Sequence, residues 1–78
     1  MSDIEERVVK IMSAVFGLQF DEVGDDTSME ALESWDSLMH INLMLAIEEE
    51  FNIYFNDTEM AELINYKSII QRLSKESL

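Results

Sequence analysis

The tripeptide Asp36-Ser37-Leu38 is where the sequence concentrates its chemistry. An acidic stretch rich in turn-forming residues gives way there to an apolar helical pattern, which sets the Ser37 hydroxyl beside the unpaired N–H groups and positive dipole end of a helix. Such an end stabilises anions, so a phosphate ester on Ser37 would be well placed, and the adjoining loop leaves room for a modifying enzyme to approach. The competing use is structural: Ser37 or Asp36 can be an ordinary helix cap, and local features alone favour that use. Other polar side chains offer less. His40, the single histidine, lies one turn after Ser37 on the inward side and could touch a bound phosphate, but a histidine satisfied at the core edge is the favoured reading. Asp21, Glu22, Asp25 and Asp26 lack the alternating ligands and Gly-then-Glu spacing of a calcium loop, so a solvated acidic face is expected there and no metal site. No catalytic pair or triad is visible.

The elements that must position Ser37 read as helices joined by one long connection. Ser2 followed by Glu5 fits a capping box, and Ile4, Val8, Ile11, Met12 and Val15 recur at helical spacing, predicting a first helix from about Asp3 to Phe16. Gly17 can take the left-handed conformation that ends it, with Leu18 just beyond. From Leu18 to Trp35 the pattern dissolves into acidic and turn residues, with Phe20, Val23, Met29 and Leu32 as apolar anchors of a flexible loop. Asp36 can cap a second helix reaching to about Phe51, and Trp35 can form a hydrophobic staple with position 40. Asn52 to Asp57 supply a turn, Asp57 or Asn56 can cap a short segment from Thr58 to Leu63, and Asn65 can cap a last helix bearing Tyr66, Ile69, Ile70 and Leu73. The absence of Pro and of any alternating apolar run predicts an all-α fold, a small four-helix bundle with a long loop between helices one and two and a short third helix.

The second helix carries two apolar stripes where one would suffice. Counting from Ser37 at about 100° per residue, His40, Leu43, Met44, Ile47 and Phe51 fall within roughly 240–340° and form a core face. Leu38, Ile41 and Leu45 lie well to the side, next to Glu48 and Glu49. Apolar residues edged by charge suit docking, yet a central helix flanked on two sides would show the same pattern, and periodicity alone leaves both open.

Composition narrows the partners. The chain has 78 residues, 17 acidic against 5 basic, for a formal charge of −12. That length makes residues 1–78 a single domain. Phosphate-rich partners need Lys and Arg, so nucleic acid is excluded and basic proteins are expected. With no Cys, disulfides and thiolate metal sites are excluded and a reducing compartment is natural. The start carries acid where a signal peptide would carry positive charge, and no apolar run is long enough to span a membrane, so a cytoplasmic protein is expected. A monomer is expected as well, since a highly charged small domain gains little from self-association.

Asp36-Ser37-Leu38, followed by an apolar helix ending Glu48-Glu49-Glu50-Phe51, resembles the acyl carrier protein family. The resemblance extends through the opening helix Ile4-Glu5-Glu6-Arg7-Val8, the long loop, the short acidic third helix and the last helix. It implies that Ser37 carries 4′-phosphopantetheine, attached by a phosphopantetheinyl transferase from coenzyme A, and that acyl groups ride on the arm as thioesters. It implies that the protein catalyses nothing itself. Asp36 and Leu38 would flank the arm. Asp36, Glu48 and Glu49 would steer toward basic patches on acyl-loading and acyl-processing enzymes, while Leu38, Ile41 and Leu45 supply apolar contact. The Gly usual before the motif in fatty-acid carriers is replaced by Ser34-Trp35, and Met39 and Asn42 stand where acids are common. The Trp-Asp-Ser-Leu form is more similar to free-standing carriers of specialised pathways, of fatty-acid or polyketide type, with aminoacyl or peptidyl carriers on the same scaffold as the alternative. A use from another class, an unmodified acidic helical adaptor or ion-responsive regulator, would employ the same stripe without Ser37.

Overall fold

The computed structural model describes residues 3–76. The capping box expected at Ser2 lies outside the described residues. Helix α1 spans Asp3–Phe16, α2 Ser37–Phe51, α3 Asp57–Glu62 and α4 Tyr66–Glu76, as the sequence pattern predicts to within a residue. Among the described residues no strand forms, and the molecule is a small helical bundle.

Each helix end has a local cause. Gly17 sits at φ +69°, and the Leu18 N–H reaches back to the Ser13 carbonyl at 3.1 Å, closing α1. The end of α2 repeats this geometry with Asn52 at φ 56° and the Ile53 N–H donating to the Glu48 carbonyl at 3.1 Å. At the start of α2 the Asp36 carboxylate accepts from the Met39 N–H at 2.9 Å. Asn56, not Asp57, caps α3: its side chain accepts from the Glu59 N–H while the Glu59 carboxylate accepts from the Asn56 N–H. Asn65 caps α4 through the Ser68 N–H at 2.7 Å.

Val8 and Met12 of α1, Leu43, Met44 and Ile47 of α2 and Ile69 of α4 are fully buried together, with Leu73 at 1% exposure beside them. Helices α1 and α2 run antiparallel. At one end Arg7 of α1 donates to the Glu50 carboxylate and carbonyl, both at 2.8 Å; at the other, Phe16 packs on Trp35 with ring centres 5.2 Å apart.

The connection between α1 and α2 is pinned to the rest of the fold by backbone hydrogen bonds. The Met29 N–H donates to the Ile64 carbonyl at 2.8 Å and the Tyr66 N–H to the Thr27 carbonyl at 2.9 Å, so the loop pairs with the junction between α3 and α4. Thr27 is buried, and its hydroxyl accepts from the Gly24 N–H. Val23 and Trp35 are buried and Met29 and Leu32 half-buried, as anchors should be. Phe20 is not an anchor. A turn over Phe20–Glu22, closed by the Gln19 N–H on the Glu22 carboxylate, carries Phe20 outward to the rim of a groove shared with Val9, Val23 and Tyr66.

Candidate functional site

Ser37 is the first residue of α2 and is exposed. Three features hold its position. Asp36 caps the helix with its carboxylate; Trp35, only 2% exposed, is packed behind it; and His40 ties this first turn to its neighbours. The Trp35 indole N–H donates to His40 Nδ1 at 3.0 Å, and because indole nitrogen only donates, Nδ1 must be the accepting nitrogen. His40 Nε2 then carries the proton and donates to the Met60 carbonyl of α3 at 2.5 Å. The histidine is thus a half-buried strut joining the loop, α2 and α3, and the Trp35 contact with position 40 is both stacked and hydrogen-bonded.

The two stripes of α2 separate in space. Leu43, Met44 and Ile47 have no exposure, whereas Leu38, Ile41 and Leu45 are 68%, 51% and 53% exposed on the side that runs away from Ser37. Asp36, Ser37 and Leu38 are adjacent at the head of the helix. Of the two acidic residues expected beside the stripe, Glu49 faces solvent, while Glu48 is half-buried with its carboxylate accepting from the Phe55 N–H at 2.7 Å. One Glu48 oxygen therefore closes the turn after α2. The wheel could not reveal this, because the donor is a backbone group beyond the helix.

The surroundings are negative throughout. Residues 11–66 contain no Lys or Arg, so all five basic residues lie in α1 and α4. Both arginines serve the fold. Arg7, with its pKa raised chiefly by the hydrogen bond to Glu50, joins α1 to α2; Arg72 bonds to Glu59 and joins α4 to α3. That hydrogen bond, with a second from the Asn56 N–H, holds the Glu59 carboxyl below its ordinary value. Burial pushes the Tyr66 hydroxyl up, helped by Glu5 and Asp25. Among the described residues no group of His, Cys, Asp and Glu could hold a metal ion, and no helix is long and apolar enough to cross a membrane.

An exposed hydroxyl at a capped helix start fits a covalently tethered phosphate ester. A family model described as a phosphopantetheine attachment site matches residues 6–73, from the first turn of α1 to the last of α4. The chain belongs to the phosphopantetheine-attachment family. It is a phosphopantetheine carrier, and its prosthetic group is covalently bound 4′-phosphopantetheine. Carrier domains of this family work with a transferase that installs the group and with enzymes that process its load. Tyr54, 87% exposed just after α2, was not singled out by periodicity, although Ile53-Tyr54-Phe55 alternates inward, outward, inward in the structure.

Proposed function

We propose that Ser37 is the attachment residue and that the protein presents acyl or related groups to partner enzymes, itself catalysing no reaction. The observation that carries this reading is the exposed Ser37 at the head of a well-capped helix whose adjoining stripe, Leu38, Ile41 and Leu45, no other part of the described chain covers. Attachment forms a bond from Ser37 Oγ to the pantetheine-linked phosphorus of coenzyme A and breaks its pyrophosphate link. The hydroxyl proton passes to a base of the transferase, and adenosine 3′,5′-bisphosphate leaves. When bound, the group supplies a terminal thiol that holds acyl groups as thioesters. The residues of this chain do the rest: Asp36 fixes the first turn so that Ser37 stays presented, and Leu38, Ile41 and Leu45 dock apolar surface on the partner. Asp36, Glu48 and Glu49 steer basic patches toward that stripe.

Incubation with coenzyme A and a broad-specificity phosphopantetheinyl transferase, followed by intact mass measurement, tests this. A gain of one phosphopantetheinyl unit that disappears in Ser37→Ala is expected; no gain, under conditions that modify a control carrier, would leave the unmodified adaptor. Ile41→Asp and Leu45→Asp should keep helicity but slow transfer to processing enzymes. The pathway we infer is a specialised one of fatty-acid or polyketide type, supported by Ser34-Trp35 in place of the customary Gly and by Met39 and Asn42 in place of acids. Loading by acyl-activating but not amino-acid-activating enzymes is the corresponding result. A cytoplasmic monomer is the state that fits a cysteine-free, highly charged carrier serving several enzymes.

A further inference from the structure

Within this molecule, arginine is bound twice in the same manner. Arg7 donates to Glu50 while its guanidinium lies 4.3 Å from the centre of the Phe51 ring; Arg72 donates to Glu59 with its guanidinium 5.5 Å from the Phe55 ring. In each case a carboxylate accepts from the guanidinium Nε–H and an aromatic ring lies within cation–π distance of the guanidinium carbon. A third set of the same groups stands at the surface. Leu45, Glu48, Glu49, Asn52, Ile53 and Tyr54 line a shallow concavity of about 320 Å³ at the far end of α2 from Ser37.

Tyr54 is held out on a rigid mount rather than left on a loose loop. The residue before it is fixed by the Ile53 N–H to the Glu48 carbonyl, and the residue after it by the Phe55 N–H to the Glu48 carboxylate. Phe55 is buried and Ile53 half-buried, so Tyr54 alone of the three points outward, at 87% exposure. Glu49 is exposed, and among the described residues no cation pairs with it; no Lys or Arg occurs anywhere from residue 11 to 66. The carboxylate and aromatic groups are present and the cation is missing.

We propose that this concavity is a socket for an arginine of a partner protein, its guanidinium on Glu49 and against the Tyr54 ring and its aliphatic stem on Leu45. The proposal rests on the carrier reading for the existence of partners. It adds a second recognition point, a helix length from Ser37, that selects arginine over lysine because only a flat guanidinium stacks on the ring while bonding the carboxylate.

Two helical peptides serve as probes, one with arginines at i and i+4 beside a leucine face, the other identical with lysines. Each is titrated into the ¹⁵N-labelled holo-protein and followed by NMR. The arginine peptide should shift the amides of Leu45, Glu49, Ile53 and Tyr54 most and bind more tightly than the lysine peptide. Tyr54→Ala should weaken the arginine peptide about two- to fivefold, the loss expected for one exposed cation–π contact, and weaken the lysine peptide less. Glu49→Gln should weaken both. Equal affinity of Tyr54→Ala for the arginine peptide, no preference for arginine, or shifts centred elsewhere on the molecule would overturn the socket. Tyr54→Ala should still gain one phosphopantetheinyl unit with the transferase; a wild-type chain that gains none overturns the carrier reading instead.

Discussion

Leu43 and Leu45 lie two residues apart on one helix and meet opposite surroundings: Leu43 has no exposure and Leu45 is 53% exposed. Their chemistry is the same, so phase around the helix decides. Leu43 faces the cluster made with Val8, Met12 and Ile69, and Leu45 faces outward beside Glu49. A helix apolar on most of its circumference is ordinarily buried on most of it. Here one side is left uncovered, which weakens the domain as an isolated object and suits it to a life in repeated contact with other proteins. The largest expected effect tests this contrast directly. Leu43→Ala should cost about 2–5 kcal/mol through lost burial and the cavity left behind. A domain of this size rarely holds more than about 3–5 kcal/mol in total, so the variant should be largely unfolded at room temperature. Leu45→Ala should change stability by no more than about 0.5 kcal/mol. Urea unfolding followed by Trp35 fluorescence measures both, and a Leu45→Ala loss comparable to that of Leu43→Ala would mean that both sides are core.

His40 sits on the boundary between the two sides and joins them to the loop and α3. Replacing it by Phe keeps a flat ring but leaves the Trp35 N–H, in a residue only 2% exposed, and the Met60 carbonyl without their partner. A loss of about 1–3 kcal/mol is expected for such stranded groups. The double variant Trp35→Phe with His40→Phe should lose less than the two single losses added together, since part of each single loss is the same broken bond. Strict additivity would show that the two side chains stabilise the start of α2 independently.

How far the sequence revealed this molecule follows from the range of the forces involved. The helices, their caps and the buried stripe of α2 were legible because they rest on groups within four residues of one another, such as Asp36 with Met39 or Asn65 with Ser68. The exposure of Leu38, Ile41 and Leu45 was not decidable, because the wheel records phase and not the neighbours that α1 and α4 bring. The pairing of the long loop with the junction between α3 and α4 was hidden for a related reason. Thr27 and Met29 are held by backbone groups of Tyr66 and Ile64, and backbone pairing across that distance leaves no mark in residue type. Glu48 looked like a surface acid equivalent to Glu49, and only the turn through Phe55 separates their roles.

The two left-handed helix ends offer a smaller contrast. Gly17 and Asn52 close α1 and α2 in the same way, but no atom lies within 4 Å of a Cβ placed on Gly17. Gly17→Ala should therefore show the conformational cost alone, about 1–2 kcal/mol, while Asn52→Gly should gain a fraction of that. Ser13→Ala should raise stability by about 1 kcal/mol, since the Ser13 hydroxyl is buried without a hydrogen-bond partner among the described residues. Thermal melts of the three variants order these effects, and a stabilising Gly17→Ala would contradict the assignment of a left-handed closure.

The smallest effect concerns pH. Glu59 is held below its ordinary carboxylate value of 4.5, first by the Arg72 hydrogen bond and then by the Asn56 N–H. The folded protein therefore binds this proton less readily than the unfolded chain does. Its contribution is fully present above that ordinary value and declines as pH falls through it, vanishing below the lowered folded value. Glu59→Gln abolishes the titration while keeping the side chain's size, so wild type should exceed the variant by at most about 1 kcal/mol at neutral pH, as for a partly buried ion pair still in contact with solvent. The gap should close as the solution is acidified below pH 4.5 and should narrow with added salt. Because α3 is only six residues long, this pair ties it to α4 while the His40 contact with the Met60 carbonyl ties it to α2. The same acidification leaves Leu38, Ile41 and Leu45 unaltered as apolar surface, so the closing of this gap measures the hold on α3 and not the docking stripe.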